Sequence, residues 1–399
     1  MKTLSLLYVL TFLSGQVSPA QSTFTKPSEA YEFARQPRTE WEAAMRAHKQ
    51  PATPTLPSDI VQQRGKTLCP LFSLDSVSGE ELYWLAKLCE LNYQKALLAV
   101  QRYLAGSNLV HGPDARLLLA VLQMRTTGNW EASWQTIQMI LKEDPIEDVD
   151  FSQIDVAIDD EARTAPESAL QWSRERYAIL LGRTEKDTNP SSTDSMLSAG
   201  SDLVHRYYLS GNTEQAAKVL DEMNRFVKSQ PGETKGWGAE ELHWANLQMH
   251  TAPKVTVLKV LGRQSGSDII RPNRVEVLSF FFVGCAPCMH ELSDLNTLQE
   301  RYGEKNLRVI GLTTYKVNSY LNPPTHTNIE TSVEKTRAKT ARSVGVVMTS
   351  DETLTSYGIN GFPVVVFVDK MGRIRYMGRD SNFEDSDTLG LLIRRLVEE

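Results

Sequence analysis

The feature that most constrains the fold is Cys285-Ala286-Pro287-Cys288, two cysteines separated by two residues. An almost wholly apolar run, residues 275–283, precedes the pair, and a helical pattern of apolar residues follows it. This order predicts a buried strand that ends beside the N-terminus of a helix, with both thiols at the helix start. Unpaired backbone N–H groups and the helix dipole favour a thiolate there. We therefore expect Cys285 to be the exposed, reactive thiol and Cys288, one turn later, to close a disulfide with it.

The N-terminus has the pattern of a secretory signal peptide. Lys2 precedes a short apolar stretch, Leu4 to Leu13, and small residues lead up to Ala20. The stretch is shorter than the roughly 20 apolar residues that cross a bilayer, which favours cleavage near Ala20 over a membrane anchor. We expect residues 1–20 to be removed and the mature chain, without a transmembrane span, to be exported to a periplasm or the cell exterior.

Two further cysteines, Cys69 and Cys89, lie in the first half of the chain. In an oxidising compartment, a bridge across the segment between them would be a structural disulfide that stabilises the fold by about 3 kcal/mol. Two buried free thiols are the alternative, because a free cysteine packs as a small apolar residue.

The 399 residues, 41% of them apolar, are enough for more than one core. Residues 21–250 have helical periodicity and predict an all-α domain. The segments Gly128-Asn129 and Gly211-Asn212 each join two helical patterns, which favours a repeat-like, tetratricopeptide-type (TPR-like) arrangement; an irregular helical bundle is the alternative. The net charge of −6, without a block of basic residues, argues against a nucleic-acid partner.

Polar residues of the helical part have less specific patterns. His205, His243 and His250 follow helical spacing without ligands in motif positions, which favours packing over metal binding. The acidic run from Asp155 to Glu161 lacks the spacing of a calcium loop and predicts a solvated helix face.

After Thr251-Ala252-Pro253 the period changes from helical to strand-like. Short β-branched or apolar runs alternate with helical segments, so residues 251–399 predict an α/β domain. The expected strands after the first are residues 275–283, 307–313, 344–348, 364–368 and 374–377.

This order, together with Cys285-Ala286-Pro287-Cys288 and the later Gly361-Phe362-Pro363-Val364, resembles the thioredoxin fold. It is most similar to the TlpA/ResA-like exported thiol-disulfide oxidoreductases, whose CxPC motif is commonly followed by a Glu three residues after the second Cys. Glu291 stands at that position. The resemblance implies a central mixed β-sheet flanked by helices for about the last 150 residues. It does not extend to the helical half of the chain.

The resemblance also implies roles for individual residues. Cys285 would be the attacking thiol, Cys288 the resolving thiol, Pro363 a cis-proline facing the disulfide, and Glu291 a buried proton acceptor. The residues implied in client binding are Gly284, Ala286, Pro287 and Phe362.

Four positions depart from the family pattern. Gly284 replaces an aromatic residue, Met289 and His290 replace basic residues, and Ser279 replaces the buried acid of thioredoxins, so Glu291 would have to act alone.

We expect an exported thiol-disulfide oxidoreductase that reduces or isomerises protein disulfides and needs no cofactor besides its own cysteine pair. Its partners would be client thiols and disulfides, an electron-donor thiol protein, and a protein bound by the helical domain.

Three other functions use the same pair of cysteines. Cys285, Cys288, Met289 and His290 are soft ligands suited to Cu(I), as in a copper carrier. A peroxiredoxin-like peroxidase would need Thr or Ser where the chain has Phe282. In a helical scaffold protein the pair would only be a stabilising disulfide.

Overall fold

A computed structural model gives the structure of the protein. It describes residues 24–46, 57–107, 109–143, 145, 149, 151–185, 190–230, 237–262, 269–379 and 388–398. The predicted signal peptide lies outside these residues. The chain forms two compact units, one ending at Ser133 and the other beginning at Trp134.

The first unit is helical. Its helices are α1 (Pro27–Arg46), α2 (Pro57–Leu68), α3 (Glu81–Leu88), α4 (Tyr93–Leu104), α5 (Gly112–Thr127) and the start of α6 (Trp130–Glu143). Helix α1 packs on α2 and α3, and α4 packs between α3 and α5. The buried side chains are mainly Ala, Leu and Val, so the small residues allow the helices to approach closely.

A disulfide joins Cys69 to Cys89 inside this unit, with an S–S distance of 2.11 Å. Cys69 follows α2 directly and Cys89 caps the C-terminus of α3. Both side chains are buried. The Lys95 ammonium donates a hydrogen bond of 2.8 Å to the Cys69 carbonyl oxygen, which ties α4 to the same connection.

The second unit begins with more helices: the rest of α6, then α7 (Phe151–Ala162), α8 (Pro166–Thr184), α9 (Pro190–Leu209), α10 (Thr213–Ser229) and α11 (Trp237–Leu247). Helix α9 is central and packs against α8, α10 and α11. Gly200 on α9 makes this close packing possible, because a Cβ atom there would lie 2.3 Å from the Met223 sulfur. The Gly211-Asn212 turn joins α9 to α10, with Gly211 at φ 78° and the Asn212 side chain accepting from the Gln215 N–H.

A mixed six-stranded sheet follows. Its strands are β1 (Val257–Leu261), β2 (Val275–Phe280), β3 (Leu307–Thr313), β4 (Gly345–Thr349), β5 (Val364–Val368) and β6 (Ile374–Gly378). The spatial order is β1-β4-β3-β2-β5-β6. Strands β2, β3 and β4 are parallel, whereas β1, β5 and β6 each pair antiparallel with a neighbour. Helices α12 (Ala286–Tyr302), α13 (His326–Thr340), α14 (Asp351–Ser356) and α15 (Thr388–Glu398) connect and cover the strands.

Both faces of this sheet are covered, as the continuous apolar runs predict. On one face Val275 and Val277 of β2 belong to a core with residues of α12, α13 and α15. On the other face Leu278 and Phe280 pack with Trp244 of α11 and with residues around α14. The central strand is therefore dry on both sides, and its C-terminal end is fixed firmly beside α12.

The predicted fold class is confirmed: a thioredoxin-like α/β sheet follows a helical N-terminal part. The division at residues 250/251 stays a prediction. The two compact units meet at Ser133/Trp134, and α7 to α11 belong to the same unit as the sheet. The repeat-like character of the helices also stays a prediction. In the described part of the chain, no helix is long and apolar enough to cross a membrane.

Candidate redox site

The segment between β2 and α12 places the cysteine pair. The Phe281 N–H continues the strand pairing by donating to the Leu312 carbonyl oxygen at 3.0 Å. The next peptide groups are held by Asn318, which is fully buried and whose Oδ1 accepts from the Val283 N–H at 2.9 Å. The Asn318 amide also donates to Thr313 Oγ1 and the Thr314 carbonyl oxygen, both at 2.8 Å. One side chain thus fixes the loop after β3 to the approach to Cys285.

The backbone conformation at Gly284 explains why this residue is a glycine. Its φ is 82°, in the left-handed region that other residues rarely adopt. The chain needs this turn to pass from the loop after β2 into α12. An aromatic residue at this position, as in the family pattern, would be strained here.

Cys285 is the N-cap of α12, and Ala286 and Pro287 form its first turn. Cys285 and Cys288 form a disulfide with an S–S distance of 2.03 Å. The Cys288 N–H points at Cys285 Sγ, with 3.2 Å between nitrogen and sulfur. A backbone donor aimed at this sulfur favours negative charge on it after reduction.

The expected exposure of Cys285 is wrong, because the Cys285 side chain is as buried as that of Cys288. Both belong to the core on the α12 face, against which Phe282, Met289 and Phe362 pack.

Phe362 and Pro363 lie between α14 and β5, and the peptide bond between them is cis. The Phe362 ring contacts Phe282 edge to face, with 5.5 Å between centroids, and Phe282 contacts Tyr320 in the same way at 6.0 Å. Tyr320 is 39% exposed. Phe282 and Tyr320 were not predicted to lie beside Phe362, since neither belongs to the cysteine motif.

Glu291 is fully buried on α12, three residues after Cys288 and therefore on the same face of the helix. Its Oε1 accepts a hydrogen bond of 2.7 Å from the Ser279 hydroxyl on β2. Ser279, which replaces the usual acid, thus contacts Glu291 directly but supplies no second acid, and the role of Glu291 in proton transfer stays a prediction.

His290 is one of the soft ligands that could bind Cu(I) beside the cysteines. Its side chain is 56% exposed and pairs with Asp294 on the next turn of α12. Among the described residues, no three His, Cys, Asp or Glu side chains are arranged to hold a metal ion. The hypothesis of a copper carrier, which also uses Met289, stays a prediction.

Comparisons with known proteins find similarity in the second half of the chain. Residues 250–392 match the Redoxin family. A thiol-disulfide isomerase from Corynebacterium glutamicum is 20% identical, covers 37% of this chain and 97% of its own, and superposes with a TM-score of 0.31. The thioredoxin domain of a thiol-disulfide oxidoreductase from Bacteroides vulgatus is 19% identical, with coverages of 37% and 97% and a TM-score of 0.29. No curated protein sequence matches the chain.

The sheet topology, the cysteine pair at the start of α12 and the family match define a class. The C-terminal part of this protein is a thioredoxin-like domain with a cysteine pair at the start of α12. More narrowly, residues 250–392 match the Redoxin family, and the helical part lies outside that match.

Proposed function

We propose that the protein is an exported thiol-disulfide oxidoreductase that reduces or isomerises disulfides in client proteins through Cys285 and Cys288. The observation that carries the proposal is the Cys285–Cys288 disulfide at the N-terminus of α12. The backbone N–H of Cys288 directed at Cys285 Sγ supports Cys285 as the attacking sulfur.

In the reducing direction, the Cys285 thiolate attacks one sulfur of a client disulfide. The client S–S bond breaks, one client thiolate leaves, and a mixed disulfide forms between Cys285 and the client. Cys288 then loses its proton and attacks Cys285 Sγ, which releases the second client thiolate and forms the Cys285–Cys288 disulfide. The client gains two electrons, and an electron-donor thiol protein returns them to the cysteine pair.

Glu291 is the candidate acceptor for the Cys288 proton. The carboxyl group lies on the Cys288 face of α12, away from solvent, and the Ser279 hydroxyl holds one of its oxygens. A buried carboxylate that takes up a proton in one half-cycle and returns it in the other would avoid leaving a buried charge.

Client binding would use Gly284, Ala286, Pro287 and Phe362, as the family resemblance implies. Because the Cys285 sulfur is buried, a client would first displace apolar side chains. These would be the contacting rings of Phe282, Tyr320 and Phe362. An apolar client segment would replace their contacts. The helical part would bind or position a partner.

Export follows from the signal-peptide pattern of residues 1–20, with cleavage near Ala20. The two disulfides suit an oxidising compartment, a periplasm or the cell exterior.

An equilibrium titration in glutathione or dithiothreitol buffers tests the proposal on metal-free protein, with alkylated thiols counted by mass. We expect a reversible two-electron transition at Cys285/Cys288, loss of disulfide turnover in Cys285→Ser, and a trapped client in Cys288→Ser. A pair that stays oxidised throughout would contradict the proposal and indicate a structural disulfide. Stoichiometric Cu(I) binding lost in both variants, without exchange, would indicate a copper carrier, and peroxide turnover would indicate a peroxidase.

A further inference from the structure

A cavity of about 410 Å³ in the second unit lies apart from the cysteine motif, and most of the residues that line it carry polar side chains. Three helices contribute to it at three-to-four-residue spacing: Asp155 and Asp159 from α7, Ser198, Ser201, Asp202 and His205 from α9, and Glu241, Trp244, Ala245 and Gln248 from α11 and its end. Arg163, Arg206, Arg379, Leu389 and residues of β6 complete the lining. Helix faces turned toward neighbouring elements are normally apolar, so polar faces that meet in one space indicate a polar occupant.

Three atoms at this cavity have unused hydrogen-bonding capacity. Ser201 Oγ, His205 Nδ1 and Gln248 Oε1 are buried and form no hydrogen bond of normal geometry with the described residues, although Gln248 lies close enough to His205 to raise its pKa. Ser201 and Gln248 are only 8% and 3% exposed. An unsatisfied buried polar atom costs about 1–3 kcal/mol, and three such atoms at one space are unusual in a folded protein. A ligand that hydrogen-bonds there would remove the cost.

The charges around the cavity are unequal. Four of the carboxylates pair with guanidinium groups: Asp155 with Arg176, Asp159 and Asp202 with Arg206, and Glu240 with Arg379. Arg163, which also lines the cavity, pairs with Asp160. Glu241 lies near Ser198, Arg379 and Arg176, which lower its pKa, and forms no ion pair within the described part of the chain. Among these described residues, acidic groups therefore outnumber basic groups, and an occupant with positive charge would balance them.

Burial and the nearby Asp155 carboxyl raise the pKa of Glu241, and Ser198, Arg379 and Arg176 partly oppose them. The Asp155 side chain is 48% exposed and pairs with Arg176. A cation beside both carboxyls would relieve the desolvation and the repulsion.

We propose that this cavity binds a small organic amine in its ammonium form, with the ammonium group at Glu241 and Asp155 and with Gln248 Oε1 as a further acceptor. The acceptors match N–H donors, and the volume suits a molecule of several heavy atoms. A bare metal ion fits less well, because no metal-holding set of three His, Cys, Asp or Glu side chains occurs among the residues that the structure describes. The proposal goes beyond thiol-disulfide exchange and does not depend on it.

Isothermal titration calorimetry on the full mature chain tests the proposal, with 1,4-diaminobutane as the probe. We expect saturable binding of the diamine, binding at least about tenfold weaker for uncharged 1,4-butanediol, and none for succinate. Glu241→Gln and Gln248→Met should each weaken diamine binding by about tenfold or more. Glu214→Gln, on an exposed position of α10 away from the cavity lining, is the matched control and should bind like the wild type.

Circular dichroism of each variant shows whether it folds. If Glu241→Gln does not fold, Gln248→Met tests the proposal in its place. Cys285→Ser should bind the diamine unchanged, which separates this site from the redox function. Absence of saturable diamine binding, equal binding of the diol, or unchanged affinity in both cavity variants would overturn the proposal.

Discussion

The Ser279 hydroxyl on β2 donates a 2.7 Å hydrogen bond to Glu291 Oε1 on α12, and both side chains are fully buried. This contact joins the central strand to the helix that carries both redox cysteines. It also places the only buried carboxyl that α12 contributes within the described residues on the Cys288 side of the helix.

Glu291→Gln keeps the shape of the side chain but removes its proton-accepting group. If Glu291 takes the Cys288 proton, resolution of the mixed disulfide should slow by on the order of 10²-fold near neutral pH. Stopped-flow measurement of that step across pH checks this, because the variant should also lose one ionisation from the rate profile. A uniform slowing with an unchanged profile would assign Glu291 a structural role only.

Ser279→Ala is the companion variant. It removes the donor to Glu291 and should lower the free energy of unfolding by about 1–2 kcal/mol, while the ionisation stays in the rate profile at a shifted pH. A profile identical to that of the wild type would show that the hydroxyl does not influence the carboxyl group.

Asn318→Ala should disturb the approach to Cys285. It leaves the Val283 N–H and the Thr314 carbonyl oxygen without their amide partner, at an expected cost of about 2–3 kcal/mol in urea unfolding. The exchange rate of Cys285 with glutathione disulfide should fall as well, because the loop that positions it loosens. Asn296→Ala is the control, since Asn296 bonds at an exposed position. Equal effects of the two variants would contradict a positioning role.

The sequence predicted the elements whose apolar runs are continuous. Strands β3 and β5 have the predicted bounds, residues 307–313 and 364–368, because strands buried on both faces leave little ambiguity. Helix α14 was missed, since six residues from Asp351 to Ser356 are too few to show a helical period.

Side-chain surroundings were harder to predict than elements. The cysteine motif located the site, but the contact between Ser279 and Glu291 depends on how β2 packs against α12. The acidic run around Asp155 and Asp159 was predicted to be a solvated face, and these two side chains are 48% and 52% exposed. The sequence did not predict their partners. These carboxylates pair with Arg176 and Arg206 and line a cavity, an arrangement that only the packing of three helices creates.

The Cys69–Cys89 bridge should stabilise the first unit without affecting exchange. The double variant Cys69→Ala/Cys89→Ala avoids a leftover thiol and should lower the free energy of unfolding by about 3 kcal/mol, because the unfolded chain loses a constraint across 20 residues. Urea unfolding of both proteins checks this, with the exchange rate of Cys285 as the control. Alkylation of Cys69 or Cys89 in the unreduced, unfolded wild type would contradict the pairing.

His205 should make stability depend on pH in the mildly acidic range. Burial lowers its pKa from 6.5 to about 4, against the opposing influence of Asp202. The unfolded chain therefore takes up a proton first as the pH falls. The stabilising contribution of the neutral imidazole is complete above about pH 6.5 and is lost between there and about pH 4, by up to roughly 3 kcal/mol.

The comparison with His205→Gln isolates this effect. Asp155 and Glu241 have raised pKa values and act in the opposite direction, since their protonation favours the folded state as the pH falls. The difference between wild-type and variant unfolding free energies should thus shrink from pH 7 to pH 4. Parallel curves for wild type and His205→Gln would mean that His205 is protonated as readily in the folded protein as in the unfolded chain.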